Sequence, residues 1–120
     1  EAYLGLCRAA RAEAAAIVRE INHPSVATMF DTHNAVAETE PHDVLVDRYF
    51  EMIRHVHVNE PDGKHPGAGH YDFLPVMRAL ARRGYAGWVS VEAFDFSFGA
   101  ERIMAEAKAA LDSAAARISL

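Results

Sequence analysis

Apolar residues recur along this chain in two patterns that alternate. Four segments carry apolar side chains every three to four residues, the spacing of an amphipathic helix that buries one face. The first segment is rich in alanine, the best helix former, and it ends at a His-Pro pair. The predicted helices cover residues 3–21, 41–52, 73–83 and 99 to about 116.

Between these helices lie three short runs of β-branched and apolar residues, which predict strands. They are SVATMFD (25–31), IRHVHVNE (53–60) and GWVSVEAF (87–94). Residues 61–72 are dense in glycine and proline and predict a loop. Alternating strands and helices are typical of an α/β fold with a parallel sheet. We therefore expect three parallel strands alternating with four helices.

The second predicted strand mixes valines with side chains that can do chemistry. Residues i, i+2 and i+4 of a strand share one face, so His55, His57 and Asn59 lie together and Val56 and Val58 face the opposite way. A strand that buries valine on one side and aligns imidazoles on the other indicates a polar interior site.

Each predicted strand also ends in a polar or acidic residue: Asp31, then His57 with Glu60, then Glu92. Active sites of parallel α/β folds lie at the C-terminal ends of strands. Asp, His and Glu offer mixed oxygen and nitrogen ligands. Such ligands are more typical of a site for Mn²⁺, Co²⁺, Mg²⁺ or Fe²⁺ than of a structural zinc site, which is rich in sulfur ligands. Polar strand ends are common in α/β proteins and no fourth ligand is evident. The pattern therefore leaves a metal site and an ordinary polar surface equally open.

From the pattern alone, the other histidines and the tryptophan are not expected to take part in the chemistry. His55 is predicted to pack beneath the site rather than to bind a metal, and Trp88 to belong to the core. The expected positions of the remaining histidines are a helix-ending turn for His23 and solvent near a helix N-terminus for His42. The surface of loops is expected for His33, His65 and His70.

Composition excludes several classes of function. The chain has 120 residues, 51% of them hydrophobic, and a formal net charge of −5, as expected for one ordinary domain rather than a basic nucleic-acid surface. Its apolar runs fall short of the roughly 20 residues that span a membrane. The single Cys7 cannot form an intrachain disulfide and fits a reducing compartment, so we expect a cytoplasmic protein without nucleic-acid or membrane partners.

Three segments carry a resemblance to a known superfamily: MFDTHNA, HVHVNEPDGKHPGAGHYDF and RRGYAGWVSVEAF. They resemble the C-terminal half of the xylose isomerase-like sugar isomerase and epimerase barrels, which include ketose 3-epimerases, hydroxypyruvate isomerases and inosose dehydratases. The resemblance covers nearly the whole chain. It implies that residues 1–120 form a single domain, the C-terminal part of a (β/α)8 TIM barrel. Because such barrels have about 250 residues, we expect the natural protein to extend upstream by about the length of the present chain.

The resemblance also implies a metal centre. Asp31, His57 and Glu92 match three of the four strand-end ligands of the epimerases, and the first ligand, a glutamate, precedes the visible chain. The implied cofactor is a divalent metal, Mn²⁺ first, with Mg²⁺, Co²⁺ or Zn²⁺ as options. Glu92 is also the implied catalytic carboxylate.

The implied substrate contacts include two departures from the family pattern. A histidine often follows the metal aspartate by three residues, but Asn34 stands there and His33 one place earlier. An arginine follows the metal histidine by six residues, but Gly63 stands there, with Lys64 and His65 beside it. Ketohexose specificity is therefore not carried over. The predicted substrate-binding residues are Glu1, which matches a glutamate of an NRxE-like segment, and His33, Asn34, Lys64 and His65.

The implied reaction is isomerisation or epimerisation of a ketose or sugar phosphate. A proton next to the carbonyl is removed and returned through an enediolate. The alternatives are a dehydratase of the inosose type with the same metal site, and a metal-free, non-enzymic barrel fragment. Related AP endonucleases are disfavoured because they need additional His and Asp zinc ligands and a basic DNA-facing surface. Three strands by themselves leave an open sheet edge, so if the 120 residues are the whole protein we expect them to associate as a homo-oligomer.

Overall fold

The computed structural model describes residues 13–119, and Glu1 and the start of the first predicted helix lie outside this range. The described part alternates helices and strands in the predicted order. Helix α1 is described over residues 13–21, and the elements that follow are β1 (Thr28–Asp31), α2 (His42–Tyr49), a 3₁₀ turn (Phe50–Met52), β2 (Ile53–Val58), α3 (Leu74–Arg82), β3 (Val89–Val91) and α4 (Ala100–Ala116).

The three strands form one parallel sheet in the order β1-β2-β3. Asp31 is paired with His57 at the end of β1, and Val58 is paired with Val91 at the end of β3. An irregularity in the register lies at the start of β1, between Thr28 and Met29. Because all three strands run in the same direction, their C-terminal ends meet at one edge of the sheet.

The core lies between the sheet and helices α2 and α3. As predicted, the valine face of β2 is buried, with Val56 and Val58 both fully enclosed. Helix α3 brings Val76 and Leu80 to this face at helical spacing. Burial of one such aliphatic side chain contributes about 1.5–3 kcal/mol. This packed layer holds β2 in place, and with it the backbone of the polar residues at the end of the strand.

The strands are shorter than predicted, and one core assignment is wrong. β3 pairs over Val89–Val91, whereas the apolar run suggested 87–94. The side chain of Trp88 is 78% exposed, although its carbonyl oxygen accepts a bond from the Val56 N–H at 3.2 Å. Trp88 therefore joins the sheet through its backbone, and no part of the described chain covers its ring.

Other large apolar side chains are also exposed near β3 and α4. Val91 lines a groove with Ile103 and Leu111 of α4, and Phe96 and Met104 at its border are more than two-thirds exposed. Among the described residues, β1 and β3 each have one edge without a strand neighbour. None of the described helices is long and apolar enough to cross a membrane.

Candidate active site

Asp31, His57 and Glu92 converge at the C-terminal edge of the sheet. His57 Nδ1 lies 3.3 Å from Glu92 Oε2 and 3.7 Å from Asp31 Oδ2. One nitrogen or oxygen atom from each of the three residues lies within 4.8 Å of the others. The side chain of Asp31 is 5% exposed, that of His57 26% and that of Glu92 35%. The structure thus brings together the three residues that the sequence placed at strand ends.

Backbone hydrogen bonds of the sheet align the ends of the three strands. Asp31 is the last residue of β1 and stands directly opposite His57 in the parallel register. The N–H of Glu92 donates to the carbonyl oxygen of Val58 at 3.2 Å, which aligns the end of β3 with that of β2. The sheet therefore sets the backbone positions from which the three side chains extend.

The donor set fits a divalent cation. A cation with bonds of roughly 2.1 Å holds its neighbouring ligand atoms roughly 3 Å apart, close to the separations between His57 and the two carboxylates. The Asn34 N–H donates to Asp31 Oδ1 at 2.8 Å and so orients that carboxylate. Hydrogen bonds of this kind hold metal ligands in the orientation that binding requires. These three residues could therefore hold one metal ion.

His55 lies next to this cluster without joining it. Its ring packs edge-on against that of His57, with the ring centroids 4.9 Å apart and the planes at 81°. Both side chains are partly buried on the same face of β2. The ring contact limits the rotation of His57, which agrees with the predicted supporting position of His55.

The loop after β2 is built around the buried side chain of Glu60. Its carboxylate oxygens accept the backbone N–H groups of Gly67 and Tyr71, each at 3.0 Å. Glu60 is 2% exposed, and a Cβ atom added at Gly69 would lie 2.5 Å from its Oε2 atom. The sequence pattern gives Glu60 only as an acidic residue at the end of the second predicted strand. An acid directly before a loop dense in glycine and proline was the available signal for its organising role.

The same loop is bonded to the loops that follow β1 and β3. His33 donates its Nδ1–H to the carbonyl oxygen of Pro61 at 2.7 Å, and its ring contacts that of Phe94. The Phe94 N–H donates to the carbonyl oxygen of Gly63 at 2.8 Å. The three strand-end loops therefore form one connected rim beside the cluster.

The predicted surface position of His65 is wrong. Its side chain is completely buried, its Nε2–H donates to Glu106 Oε2 at 2.8 Å, and its ring packs against Phe98. The loop folds back onto α4, a contact between residues 41 positions apart that local sequence does not encode. The hydrogen bond from His65, followed by that from Arg102, holds the pKa of Glu106 below its usual value. His65 thus fixes the loop, and its Nε2 atom is directed to α4.

His42 is also not a solvated residue. It is partly buried, and its Nε2–H donates to the carbonyl oxygen of Ala35 at 3.1 Å. Its Nδ1 atom lies 2.5 Å from the hydroxyl of Tyr71. The ring thereby connects the loop after β1 to the loop after β2. His23 occupies its predicted turn, where its Nδ1 accepts the N–H of Ser25 at 3.1 Å.

The remaining predicted substrate contacts lie around the rim. Lys64 Nζ lies 2.7 Å from Asp62 Oδ2, and this bond raises the pKa of the lysine and lowers that of the aspartate. His33 is partly buried at the loop junction, whereas Asn34 is exposed and contacts Asp31 through its backbone. Glu1 lies outside the described residues.

Comparison with known proteins identifies the family. The sequence profile described as the xylose isomerase-like TIM barrel matches residues 5–115. The chain belongs to this family. The predicted resemblance and the α/β partial-barrel fold are therefore confirmed. The relatives of this chain that the comparisons find are enzymes, namely sugar epimerases and dehydratases.

Three relatives illustrate the similarity. The chain is 34% identical over 86 residues to a ketose 3-epimerase from Arthrobacter globiformis, covering 71% of this chain and 29% of that protein. It is 30% identical over 90 residues to an inosose dehydratase from Lacticaseibacillus casei, covering 57% and 30%. A D-psicose 3-epimerase from Clostridium cellulolyticum H10, solved with D-tagatose, superimposes with a TM-score of 0.74 at 27% identity, covering 90% and 43%. The chain thus spans less than half the length of each.

Proposed function

We propose that this protein is a divalent-metal-dependent sugar isomerase or epimerase that moves a proton next to a carbonyl group. The observation that carries the proposal is the convergence of Asp31, His57 and Glu92 at one sheet edge. Support for the reaction class comes from the similarity to ketose 3-epimerases in sequence and in structure. The substrate class we propose is a ketose or a sugar phosphate.

In this proposal the three residues hold the metal, and a fourth ligand comes from outside the described residues. Mn²⁺ is our first choice, with Mg²⁺, Co²⁺ or Zn²⁺ as alternatives, since oxygen and imidazole ligands suit these ions. When bound, such an ion supplies Lewis acidity that makes the proton next to a carbonyl easier to remove and stabilises the negative charge that develops.

Glu92 is the proposed proton acceptor. Its carboxylate is the most exposed of the three side chains and stands at the start of the loop after β3, where a bound sugar can reach it. A second carboxylate, from outside the described residues, would stand on the opposite face of the substrate. Removal of the proton from one face and its return on the other inverts the carbon, and the intermediate between the two steps is an enediolate of the sugar.

The rim residues would bind the rest of the substrate. His33, Asn34 and Lys64 lie on the loops after β1 and β2 and can present polar groups to the sugar hydroxyls. Lys64 carries a positive charge that could bind a phosphate group, and in this structure it forms an ion pair with Asp62. His65 would act through the shape of the loop, and Glu1 remains a proposed substrate contact.

A dehydratase is the second candidate. Several relatives at 28–30% identity are inosose dehydratases. The same cluster would support a dehydration. Loss of a hydroxyl group at the β carbon also begins with removal of the proton at the α carbon, next to the carbonyl. The two reactions differ in their second step. In the epimerase the proton returns to the carbon, whereas in the dehydratase a water molecule leaves.

The deciding experiment follows deuterium incorporation. The natural-length protein is incubated with a panel of keto sugars and keto inositols in D₂O, with Mn²⁺ and separately with EDTA, and examined by NMR. Metal-dependent deuteration with an epimer or an aldose–ketose product supports the isomerase, whereas deuteration with loss of water supports the dehydratase. Absence of exchange with every sugar, in a protein that binds no metal, contradicts both and favours a non-enzymic barrel.

Our proposal for the wider setting has three parts. Residues 1–120 belong to one domain that forms the C-terminal half of a barrel. The protein works in the cytoplasm on small sugars and without nucleic-acid or membrane partners. It forms a homo-oligomer, which the exposed apolar groove between β3 and α4 supports.

A further inference from the structure

Directly beside Asp31 and His57 lies a buried polar pair that the proposed reaction does not use. Thr32 follows Asp31 in the chain, and Asn59 directly follows the last residue of β2, two positions after His57. Both residues are completely buried. Buried polar groups are costly unless they are hydrogen-bonded, so the partners of this pair identify what it holds in place.

A single hydroxyl group connects the ends of the two strands. Thr32 Oγ1 accepts the Asn59 N–H at 2.9 Å and lies 2.6 Å from the Asn59 carbonyl oxygen and 2.7 Å from Asn59 Oδ1. The hydroxyl has one hydrogen to donate, so these two oxygens share it. Asn59 Oδ1 also accepts the His33 N–H at 2.8 Å. We call this arrangement the Thr32–Asn59 clamp.

The orientation of the Asn59 amide is fixed by these contacts. The His33 N–H can only donate, so the amide must turn its oxygen and not its nitrogen towards it. Asn59 Nδ2 is left buried without a hydrogen-bond partner among the described residues. The amide oxygen therefore joins Asn59 to both Thr32 and His33.

The clamp begins where the regular sheet ends. Asp31–His57 is the last register pair of β1 and β2, and the bond that follows it, from the Thr32 N–H to the His57 carbonyl oxygen, is long at 3.3 Å. Beyond that point β1 continues into its loop, and β2 does so after Val58. The short bonds of the Thr32 hydroxyl therefore replace the sheet hydrogen bonds at the position that sets the distance between Asp31 and His57.

We propose that Thr32 and Asn59 are positioning residues that set the separation of Asp31 and His57 for metal binding. This inference rests on the proposed function, because it takes both residues as metal ligands. It adds that affinity for the metal depends on a hydroxyl and an amide that touch neither the metal nor the substrate.

The test compares two substitutions at one position in the natural-length protein. Thr32→Val keeps the shape of the side chain but removes the hydroxyl, and Thr32→Ser keeps the hydroxyl but removes a methyl group. The Mn²⁺ dissociation constant is measured by titration, with electron paramagnetic resonance reporting the free ion. Loss of groups that orient metal ligands weakens affinity about 10–100-fold. We expect this for Thr32→Val and a much smaller change for Thr32→Ser.

A second measurement separates positioning from mere stability. Circular dichroism in EDTA establishes that each variant is folded, and the visible spectrum of bound Co²⁺ reports the ligand geometry. We expect Thr32→Val to change the Co²⁺ spectrum while its fold is retained. Should Thr32→Val fail to fold, Asn59→Ala, which removes the Oδ1 acceptor, takes its place with the same expected outcome.

The outcomes distinguish this inference from the function on which it rests. If the wild-type protein binds neither Mn²⁺ nor Co²⁺, the proposed metal centre is wrong and the clamp hypothesis falls with it. If the wild type binds metal and the folded Thr32→Val protein binds it equally well with an unchanged spectrum, the clamp hypothesis alone is overturned. Equal weakening in Thr32→Ser and Thr32→Val also contradicts it, because the hydroxyl would then not be the decisive group.

Discussion

At the scale of single residues, three side chains form the proposed metal site, and neighbouring residues contact them. The cluster combines the nearly buried Asp31 with the more exposed His57 and Glu92. Burial of Asp31 restricts its conformations, whereas the exposure of Glu92 leaves room for a substrate. This gradient from a fixed ligand to an accessible carboxylate suits a site in which one acid both binds a metal and exchanges a proton.

Glu92→Gln tests the role of this carboxylate. The substitution preserves size but removes the negative charge, so we expect deuterium exchange at the substrate carbon to fall by about 10²–10⁴-fold, the usual contribution of a general base. The measurement is NMR in D₂O with a substrate that the wild type accepts. Glu101→Gln, an exposed change in the first turn of α4, is the matched control and should retain full exchange. Retained exchange in Glu92→Gln would refute the proposed role.

Some residues of the site were predictable and others were not. Asp31, His57 and Glu92 follow from strand ends, because a parallel sheet brings such ends together whatever the details of packing. The burial of His65 depends on contact with Glu106, far along the chain, and nothing in the local pattern signals it. Trp88 was misplaced because apolar character does not reveal which elements cover a given side chain.

At the scale of elements, the loop after β2 connects to both sides of the site. Glu60 organises it from within, His33 holds it towards β1, and His65 holds it towards α4. The pattern of glycines and prolines predicted a loop but not its internal order. That order comes from a buried carboxylate bonded to backbone N–H groups, which is a tertiary contact.

Gly69→Ala tests the close approach of the backbone to Glu60. The added Cβ would lie 2.8 Å from the Glu60 Cδ atom, and this carboxylate cannot move without losing its two backbone bonds. We expect a loss of about 1–3 kcal/mol in the free energy of unfolding, measured with urea. In a Glu60→Ala background the same substitution should cost much less, because the steric conflict is absent. Equal costs in the two backgrounds would contradict this account.

The bond between His65 and Glu106 should make stability depend on pH. The pKa of Glu106 is lowered in the folded protein, chiefly by the hydrogen bond from His65. The bond therefore stabilises the fold fully at pH values above the ordinary pKa of 4.5, and this contribution disappears as the pH falls through the lowered pKa. The unfolded state takes up the proton more readily, which gives the effect its sign.

Glu106→Gln is the corresponding variant. We expect it to be less stable than the wild type at neutral pH, with the difference shrinking as the pH falls below 4.5. Urea unfolding followed by circular dichroism at a series of pH values provides the measurement. Glu101→Gln on the same helix should show a difference from wild type that does not change with pH. A difference for Glu106→Gln that is independent of pH would exclude the bond as its source.

At the scale of the whole molecule, the described chain buries part of its apolar surface and leaves another part exposed. Helices α2 and α3 cover the sheet, whereas the groove between β3 and α4 exposes Phe96 and Met104. Open sheet edges and exposed apolar patches of this kind mark surfaces that pair with other chain segments or other molecules. The partial barrel therefore predicts association.

We expect the 120-residue chain, expressed by itself, to self-associate in a concentration-dependent way, because burial of the groove removes apolar surface from water. Sedimentation velocity over a range of concentrations measures this. Met104→Glu places a charge in the groove, where Met104 is 72% exposed, and should shift the equilibrium towards the monomer. Ala109→Glu, on the same helix but not among the groove residues, should leave it unchanged. A monomer at all concentrations would show that the sheet edges and the groove do not drive association, and the proposed homo-oligomer would then need another interface.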